Sequence, residues 1–301
     1  MAILLLFAAR EAIYIGIRKN EIGEFDKLNT IFIKKNNFDV LLVGSSRMES
    51  HVHPGIIDSV CHTSSYNIGM DGGSLPFVYG VFKSYLVNSA TPKVVVFNID
   101  MHSYSLKKIV INRFPRYFPY LKNKELHTVC SALDERFPYF KYIPMYSLPY
   151  LNDTYLNASV RGYFGKKSEF DKAFYKGYVP IPQQLHQNVD TVTYKIFASP
   201  TQPIIFESFD STIALCNKLN TRLVFVISPM YYKGSVVVSN LATLKKEFMA
   251  KAAEKNIRFI DYSTDTMCFN PSFFADPYHL NTKGAYVFST KLASDLKQYL
   301  K

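Results

Sequence analysis

Asp39-Val-Leu-Leu-Val43, followed directly by Gly44, is the first of five short apolar runs in this 301-residue sequence. A run of branched apolar residues that stops at a glycine is typical of a parallel strand buried on both faces. Segments with helical periodicity separate this run from the later ones. The alternation predicts an α/β fold built around a parallel sheet.

The other expected strands and helices alternate along the chain. The strands are expected at Ser65–Gly69, Lys93–Ile99, Arg222–Ile227 and Ile257–Asp261, and the helices at Leu75–Leu86, Phe206–Leu219, Ala242–Lys255 and Gly284–Leu300. With right-handed crossovers, this pattern predicts a flavodoxin-like three-layer sandwich whose five-stranded parallel sheet has the order 2-1-3-4-5. Ligands bind such sheets at the carboxyl ends of the strands, so the polar segments after the strands are the candidate site.

Composition excludes several classes of protein. The chain is 48% hydrophobic and 20% charged, which excludes a disordered chain. Its net charge is +11, and residues 101–200 hold 14 Lys and Arg against 7 Asp and Glu, or +7 of that excess. Such an excess favours a polyanionic partner. The four cysteines are scattered, which excludes a zinc finger and a disulfide scaffold.

The first twenty residues are unusually apolar. Nine apolar residues precede Arg10 and Glu11, too few to cross a bilayer, which needs about 20. Residues 1–20 are therefore either an amphipathic helix packed on the protein or the carboxy-terminal part of a membrane anchor. The richness in Leu, Ile and Phe favours the anchor. Residues 21–301 are expected to form the α/β domain.

An insertion interrupts the predicted domain at about residues 103–205. Between Tyr104 and Tyr178, 18 of 75 residues are Phe or Tyr, about 24% against 15% for the whole chain. Five prolines, at positions 115, 119, 138, 144 and 149, exclude a long helix. We therefore expect short helices and loops over the sheet's carboxyl edge. Most of the aromatic rings should form a core, and the rest an open groove for sugars or an acyl chain.

Two short motifs carry the candidate chemistry. Ser46, in Gly44-Ser-Ser-Arg47, follows the first strand at a helix start, where a hydroxyl is exposed and developing negative charge is favoured. The alternative is that these serines only cap the helix. Asp276 stands three residues before His279, a spacing that lets the carboxylate hold the imidazole through Nδ1 and leave Nε2 as a base.

The second motif also has alternative interpretations. Asp276 or Asn281 could simply cap the last helix. A metal site would need Asp100 and His102 to join Asp276 and His279, and no matching acidic cluster supports it. The other histidines, at positions 51, 53, 62, 127 and 186, are interpreted as surface or packed residues.

These motifs, in this order, resemble the SGNH/GDSL hydrolase superfamily. The resemblance covers residues 38–100 and 222–300, and within the superfamily the chain looks most like membrane-anchored bacterial envelope proteins, both DltD-like and alginate O-acetylation-like. It implies the SGNH hydrolase fold, with Ser46 as nucleophile, His279 as base and Asp276 as the residue that orients it. Gly72 matches the glycine whose N–H helps to bind the oxyanion.

The segment at the end of the third expected strand departs from the family pattern. Asp100 stands where the family has an asparagine that donates to the oxyanion, while Asn98 and His102 lie on either side of it. If Asp100 faces the oxyanion as a charged group it would repel it, and Asp100→Asn is then predicted to raise activity by up to about 100-fold. If Asp100 is instead turned away and hydrogen-bonded to the backbone, the substitution should do little. Ser45 replaces the family's aspartate, and Arg47 is a further candidate binding residue.

The resemblance implies a serine-dependent acyl-ester hydrolase or O-acyltransferase that uses the Ser46–His279–Asp276 triad and needs no cofactor or metal. The expected substrate is an acylated carbohydrate or envelope polymer. The resemblance also implies a membrane-bound acyltransferase as a partner, and a location at the bacterial cell envelope, anchored through the N-terminus. The alternative is a weakly active or inactive accessory protein that binds glycans. Nucleic-acid binding would rest on charge alone, without any recognition motif, and is not expected.

Overall fold

The central sheet has five strands, all parallel, in the order β2-β1-β3-β4-β5. The strands are β1 Val40–Val43, β2 Ser65–Asn67, β3 Val94–Asn98, β4 Arg222–Ile227 and β5 Arg258–Asp261. This computed structural model describes residues 1–100, 109–165, 174–185, 203–235 and 240–300. The strand order confirms the fold predicted from the sequence.

Thirteen α-helices lie in the described residues. They are α1 Ala2–Lys19, α2 Gly23–Phe32, α3 Ser46–His51, α4 Pro54–Cys61, α5 Leu75–Leu86, α6 Lys124–Leu133, α7 Phe137–Tyr142, α8 Pro144–Ser147, α9 Asp153–Phe164, α10 Pro203–Lys218, α11 Tyr232–Ser235, α12 Leu241–Glu254 and α13 Thr282–Leu296. Short 3₁₀ helices span Phe114–Tyr120, Leu148–Tyr150, Thr266–Phe269, Pro271–Phe273 and Lys297–Tyr299.

Both faces of the sheet are buried, which explains the continuous apolar runs. On one face, alternate residues of β1, β3 and β4 share a core with α3, α4 and α13, including Val40, Val96 and Phe288. On the other face Phe225 of β4 stacks on Phe209 of α10, with ring centroids 4.4 Å apart. A strand buried on both faces leaves its functional residues at its ends.

Strand register brings the polar segments to one edge. Val43 of β1 lies opposite Phe97 of β3, and Leu42 lies opposite Asn67 of β2. Gly44 and Asn98 therefore leave the sheet side by side. A Cβ on Gly44 would come within 2.9 Å of the Asn98 Cβ, so this approach requires glycine.

The chain divides into two compact units. One comprises residues 1–36, 80–90 and 110–174, and the other comprises residues 37–79, 91–109 and 175–301. The second unit holds the whole sheet and all the candidate site residues that the structure describes. The predicted boundaries of the N-terminal helix (1–20) and the insertion (103–205) stay predictions.

Helix α1 is held along its second half within the first unit. The buried Arg10 donates to the carbonyl of Lys141 at 3.2 Å, and the Tyr163 hydroxyl donates to the carbonyl of Ala12 at 2.8 Å. The apolar side chains before Arg10 are largely exposed, at 63–73% for Ile3, Leu4 and Leu5. None of the helices in the described residues is both long and apolar enough to span a membrane.

Aromatic rings form the core of the first unit around the 3₁₀ helix Phe114–Tyr120. Phe118 packs on Phe140 with ring centroids 4.5 Å apart, and Phe114 stacks on the same ring at 5.5 Å. Phe137 and Tyr150 complete the cluster. Much of the aromatic content between residues 114 and 150 is therefore packed inside this unit.

Candidate active site

Ser46 is the first residue of α3, at the end of β1. Ser45 precedes it in an extended conformation and caps the helix, because its hydroxyl accepts the backbone N–H of Arg47 at 3.2 Å. The capping interpretation thus applies to Ser45, and the Ser46 hydroxyl is left for another partner. The Ser46 N–H is among those at the helix start that have no carbonyl partner within the helix.

The loop before α13 folds around the carboxylate of Asp276. Its Oδ1 accepts the backbone N–H groups of Tyr278 and His279 at 2.7 and 2.9 Å, and its Oδ2 lies 2.9 Å from Nδ1 of His279. Asn281, not Asp276, caps α13 by accepting the N–H of Gly284 at 2.9 Å. The Asp276 carboxylate therefore binds the imidazole of His279, and the helix is capped by another residue.

The structure brings Ser46 and His279 into hydrogen-bond contact. Ser46 Oγ lies 2.9 Å from Nε2 of His279. A carboxylate on Nδ1 keeps the ring proton on that nitrogen, so Nε2 is left to accept the serine proton. The three side chains form one continuous hydrogen-bonded row.

The electrostatics of Asp276 fit an ionised carboxylate. Burial alone would raise the pKa of Asp276. The hydrogen bonds from the His279 ring and from the N–H groups of Tyr278 and His279 outweigh burial, so this pKa lies below its ordinary value. The carboxylate therefore stays charged to a lower pH than an ordinary aspartate does.

Gly72 lies in a turn that borders the start of α3. The Met70 N–H donates to the carbonyl of Gly44 at 2.9 Å, which ties the turn to the end of β1. Gly72 itself has φ +65°, a left-handed conformation that favours glycine. Its part in binding an oxyanion stays a prediction.

The carboxylate of Asp100 contacts both chain neighbours of Ser46. Its Oδ2 accepts the Ser45 hydroxyl at 2.8 Å, and its Oδ1 lies 3.5 Å from the Arg47 guanidinium. Arg47 is buried, and it also donates to the backbone carbonyls of Ser228 and Pro229. Arg47 therefore ties the start of α3 to the segment after β4, and it balances the charge of Asp100.

This pairing favours the smaller of the two expected effects of Asp100→Asn on activity. The substitution would leave the buried Arg47 guanidinium without its counter-charge, so we expect the free energy of unfolding to fall by about 1–3 kcal/mol. We expect no gain in ester hydrolysis. Chemical denaturation together with an esterase assay checks both statements. A rise in activity of about 100-fold would show instead that the carboxylate opposes the oxyanion.

Asn98 has a structural contact at the end of β3. Its side-chain oxygen accepts the N–H of Ser228 at 3.0 Å, which joins the ends of β3 and β4, and the residue is buried. Its Nδ2 has no hydrogen-bond partner among the residues that the structure describes. His102, the third oxyanion candidate, lies outside the described residues. In the described part of the chain, no group of three or more His, Cys, Asp or Glu side chains could hold a metal ion.

His51 is a neighbour of the site to which the sequence interpretation gave no role. It is the last residue of α3, is fully buried, and accepts the backbone N–H of Leu280 at 3.0 Å through Nε2. The sequence predicted only a surface or packed residue. The single available signal was its position five residues after Ser46, which does not reveal a partner more than 200 residues away.

No protein-family model matches the chain, and no curated protein sequence matches it. A protein from Bacteroides fragilis described as a “putative acylhydrolase” aligns with TM-score 0.47 at 12% identity, over 91% of this chain and 95% of that one. An active-site mutant of a family two carbohydrate esterase from Clostridium thermocellum aligns with TM-score 0.41 at 8% identity, over 89% and 64%. The fold assignment rests on the strand order.

Proposed function

We propose that the protein is a serine-dependent acyl-ester hydrolase or O-acyltransferase. The observation that carries this proposal is the row Ser46–His279–Asp276, with 2.9 Å between Ser46 Oγ and Nε2 and 2.9 Å between Nδ1 and Asp276. A hydroxyl, a base and an orienting carboxylate at these distances are what nucleophilic acyl transfer requires.

In the proposed reaction Ser46 Oγ attacks the ester carbonyl while its proton passes to Nε2 of His279. The tetrahedral intermediate collapses, the C–O bond to the alcohol breaks, and the alcohol leaves with that proton. Water or a sugar hydroxyl then gives a proton to Nε2 and attacks the acyl-enzyme, and the proton returns to Ser46 as the acyl group departs. The N–H groups of Ser46 and Gly72 are assigned to the oxyanion.

An exposed aromatic pair supports a carbohydrate substrate. Tyr232 and Phe269 stack with ring centroids 5.5 Å apart and are 40% and 60% exposed. Tyr232 lies next to the loop that carries His279. The N–H of its chain neighbour Tyr231 donates to the carbonyl of Pro277 in that loop at 3.2 Å. An open aromatic surface suits the C–H face of a sugar ring, whereas an acyl chain prefers an enclosed groove.

The carbohydrate part is tested with Tyr232→Ala and Phe269→Ala. We expect each to raise KM about 10-fold for a 6-O-acetyl sugar, because it removes about 1.4 kcal/mol of ring contact. KM for methyl acetate, which has no ring, should not change. Tyr286→Ala is the matched control, since this tyrosine is 64% exposed on α13. Equal effects on both esters, or an equal effect of the control, would contradict the assignment.

The location and partners belong to the same proposal. We place the protein at a bacterial cell envelope, where an envelope glycan and a membrane-bound acyltransferase would be its partners. The exposed Ile3, Leu4 and Leu5 of α1 support attachment to a membrane through the N-terminus. The narrower likeness to DltD-like and alginate O-acetylation proteins is part of this proposal.

The direct test of the activity is labelling with a fluorophosphonate, followed by peptide mapping. We expect one phosphonyl group on Ser46 and hydrolysis of p-nitrophenyl acetate by the same preparation. A folded protein that is neither labelled nor active, but still binds glycans, would support the accessory glycan-binding protein instead.

A further inference from the structure

Helix α3 carries two site residues on one short element. Ser46 is its first residue and His51 its last, so anything that His51 holds is fixed relative to the nucleophile. His51 Nε2 accepts the N–H of Leu280 at 3.0 Å, and Leu280 directly follows the base His279. We propose that His51 is a positioning residue, which through the Leu280 N–H sets the His279 imidazole opposite Ser46. This inference rests on the proposed function.

The contact is buried on both sides. His51 and Leu280 both have no exposed surface, so water cannot replace the imidazole as acceptor. A buried backbone N–H without an acceptor is strongly disfavoured, and the loop would have to move to find another partner. The rings of His51 and His279 lie perpendicular with centroids 6.1 Å apart, so His51 supports the base without bonding to it.

Two other backbone bonds close the loop on itself. The Ala275 N–H donates to the carbonyl of His279, and the Asn281 N–H donates to the carbonyl of Phe273, both at 2.9 Å and both within the loop region. Besides the Ser46–His279 contact itself, the Leu280 bond to His51 connects this closed loop to the helix of the nucleophile. Its loss would let the backbone of His279 move relative to Ser46, which would loosen the hydrogen bonds that hold the imidazole.

His51 is suited to accept because it is neutral. Burial, the charge of Arg47 and the proximity of His279 lower the pKa of His51 well below its ordinary value. Because Nε2 accepts from Leu280, the single ring proton lies on Nδ1. A ring with a fixed tautomer and no charge offers a constant acceptor across the neutral pH range.

The test compares three substitutions at one position. His51→Gln can place an amide oxygen near the Nε2 position, His51→Asn is too short to reach it, and His51→Leu has no acceptor. We expect kcat for p-nitrophenyl acetate to fall about 10- to 100-fold in the Leu and Asn variants, with KM changed by less than about 2-fold. The Gln variant should stay within about 3-fold of the wild type.

A matched control separates positioning from stability. Ile57→Val, in the same core on α4, removes one buried methylene without touching the site. If His51 acts by positioning the base, Ile57→Val should lower the unfolding temperature and leave kcat unchanged. The proposal is overturned if this variant lowers kcat as much as His51→Leu does, or if His51→Gln is no better than His51→Asn.

A spectroscopic readout keeps this test independent of activity. The Nδ1 proton of His279, bonded to Asp276, should give a strongly downfield proton NMR signal in the wild type. We expect the signal to persist in His51→Gln, and to shift upfield or broaden in His51→Leu and His51→Asn. If the wild type hydrolyses no ester, the proposed function fails, and this comparison still decides the role of His51. An unchanged signal in the Asn variant overturns the positioning role, even if the Leu variant does not fold.

Discussion

Replacing Ser46 by alanine should abolish ester hydrolysis. We expect kcat for p-nitrophenyl acetate to fall about 10⁴- to 10⁶-fold and fluorophosphonate labelling to disappear, because the variant lacks the oxygen that attacks the carbonyl. The Ser46 side chain also makes the 2.9 Å contact with His279, so the base loses its proton donor. Steady-state kinetics and mass spectrometry of the labelled protein measure both effects.

Ser45→Ala is the matched control for this experiment. It removes a hydroxyl one residue away, together with the helix cap and the bond to Asp100, but it keeps the nucleophile. We expect it to lower the free energy of unfolding by about 1 kcal/mol and to reduce activity by less than about 10-fold. If Ser46→Ala hydrolyses the ester as fast as the wild type does, the chemistry lies elsewhere in the chain.

Asp276→Asn should have the second large effect, a loss in kcat of about 10²- to 10⁴-fold. The asparagine amide can donate to Nδ1 of His279, which favours the tautomer with the proton on Nε2. That ring cannot accept the proton of Ser46. The lower end of the range is expected because the Asp276 side chain is 46% exposed and water can partly replace it. Kinetics near neutral pH measure the loss.

The stability of the Asp276→Asn variant should also depend on pH differently from that of the wild type. The pKa of Asp276 is lowered in the folded protein, so its contribution to stability is complete above the ordinary carboxyl pKa. That contribution is lost as pH falls through the lowered value. Denaturation curves across the acid range should therefore show a steeper loss of stability in the wild type than in Asp276→Asn.

Asp261→Asn is the control for charge at this sheet edge. Asp261 ends β5, pairs with Lys245 and accepts the N–H of Ser263. We expect its kcat to match that of the wild type. A loss in Asp261→Asn as large as that in Asp276→Asn would mean that the effect is general electrostatics rather than orientation of the base.

The sequence alone determined the sheet, because a strand buried on both faces must be apolar along its whole length. The run Val40–Val43 is buried throughout, and so is Val94–Asn98. Chirality and alternation then restrict the strand order to a few possibilities, of which the predicted one is observed. The link between Asp276 and His279 was also predictable, because it spans three residues and depends on local chain geometry.

Only the tertiary structure decided what lies opposite each of these residues. Ser46 and His279 are 233 residues apart, and no local pattern encodes a 2.9 Å contact over that separation. The sequence left open whether Asp100 faces the oxyanion, and the structure pairs its carboxylate with Arg47, 53 residues away in the chain. His51 likewise has a distant partner, the backbone N–H of Leu280. Local sequence reports backbone propensity and burial, whereas partners across a sheet edge are set by how separate elements pack.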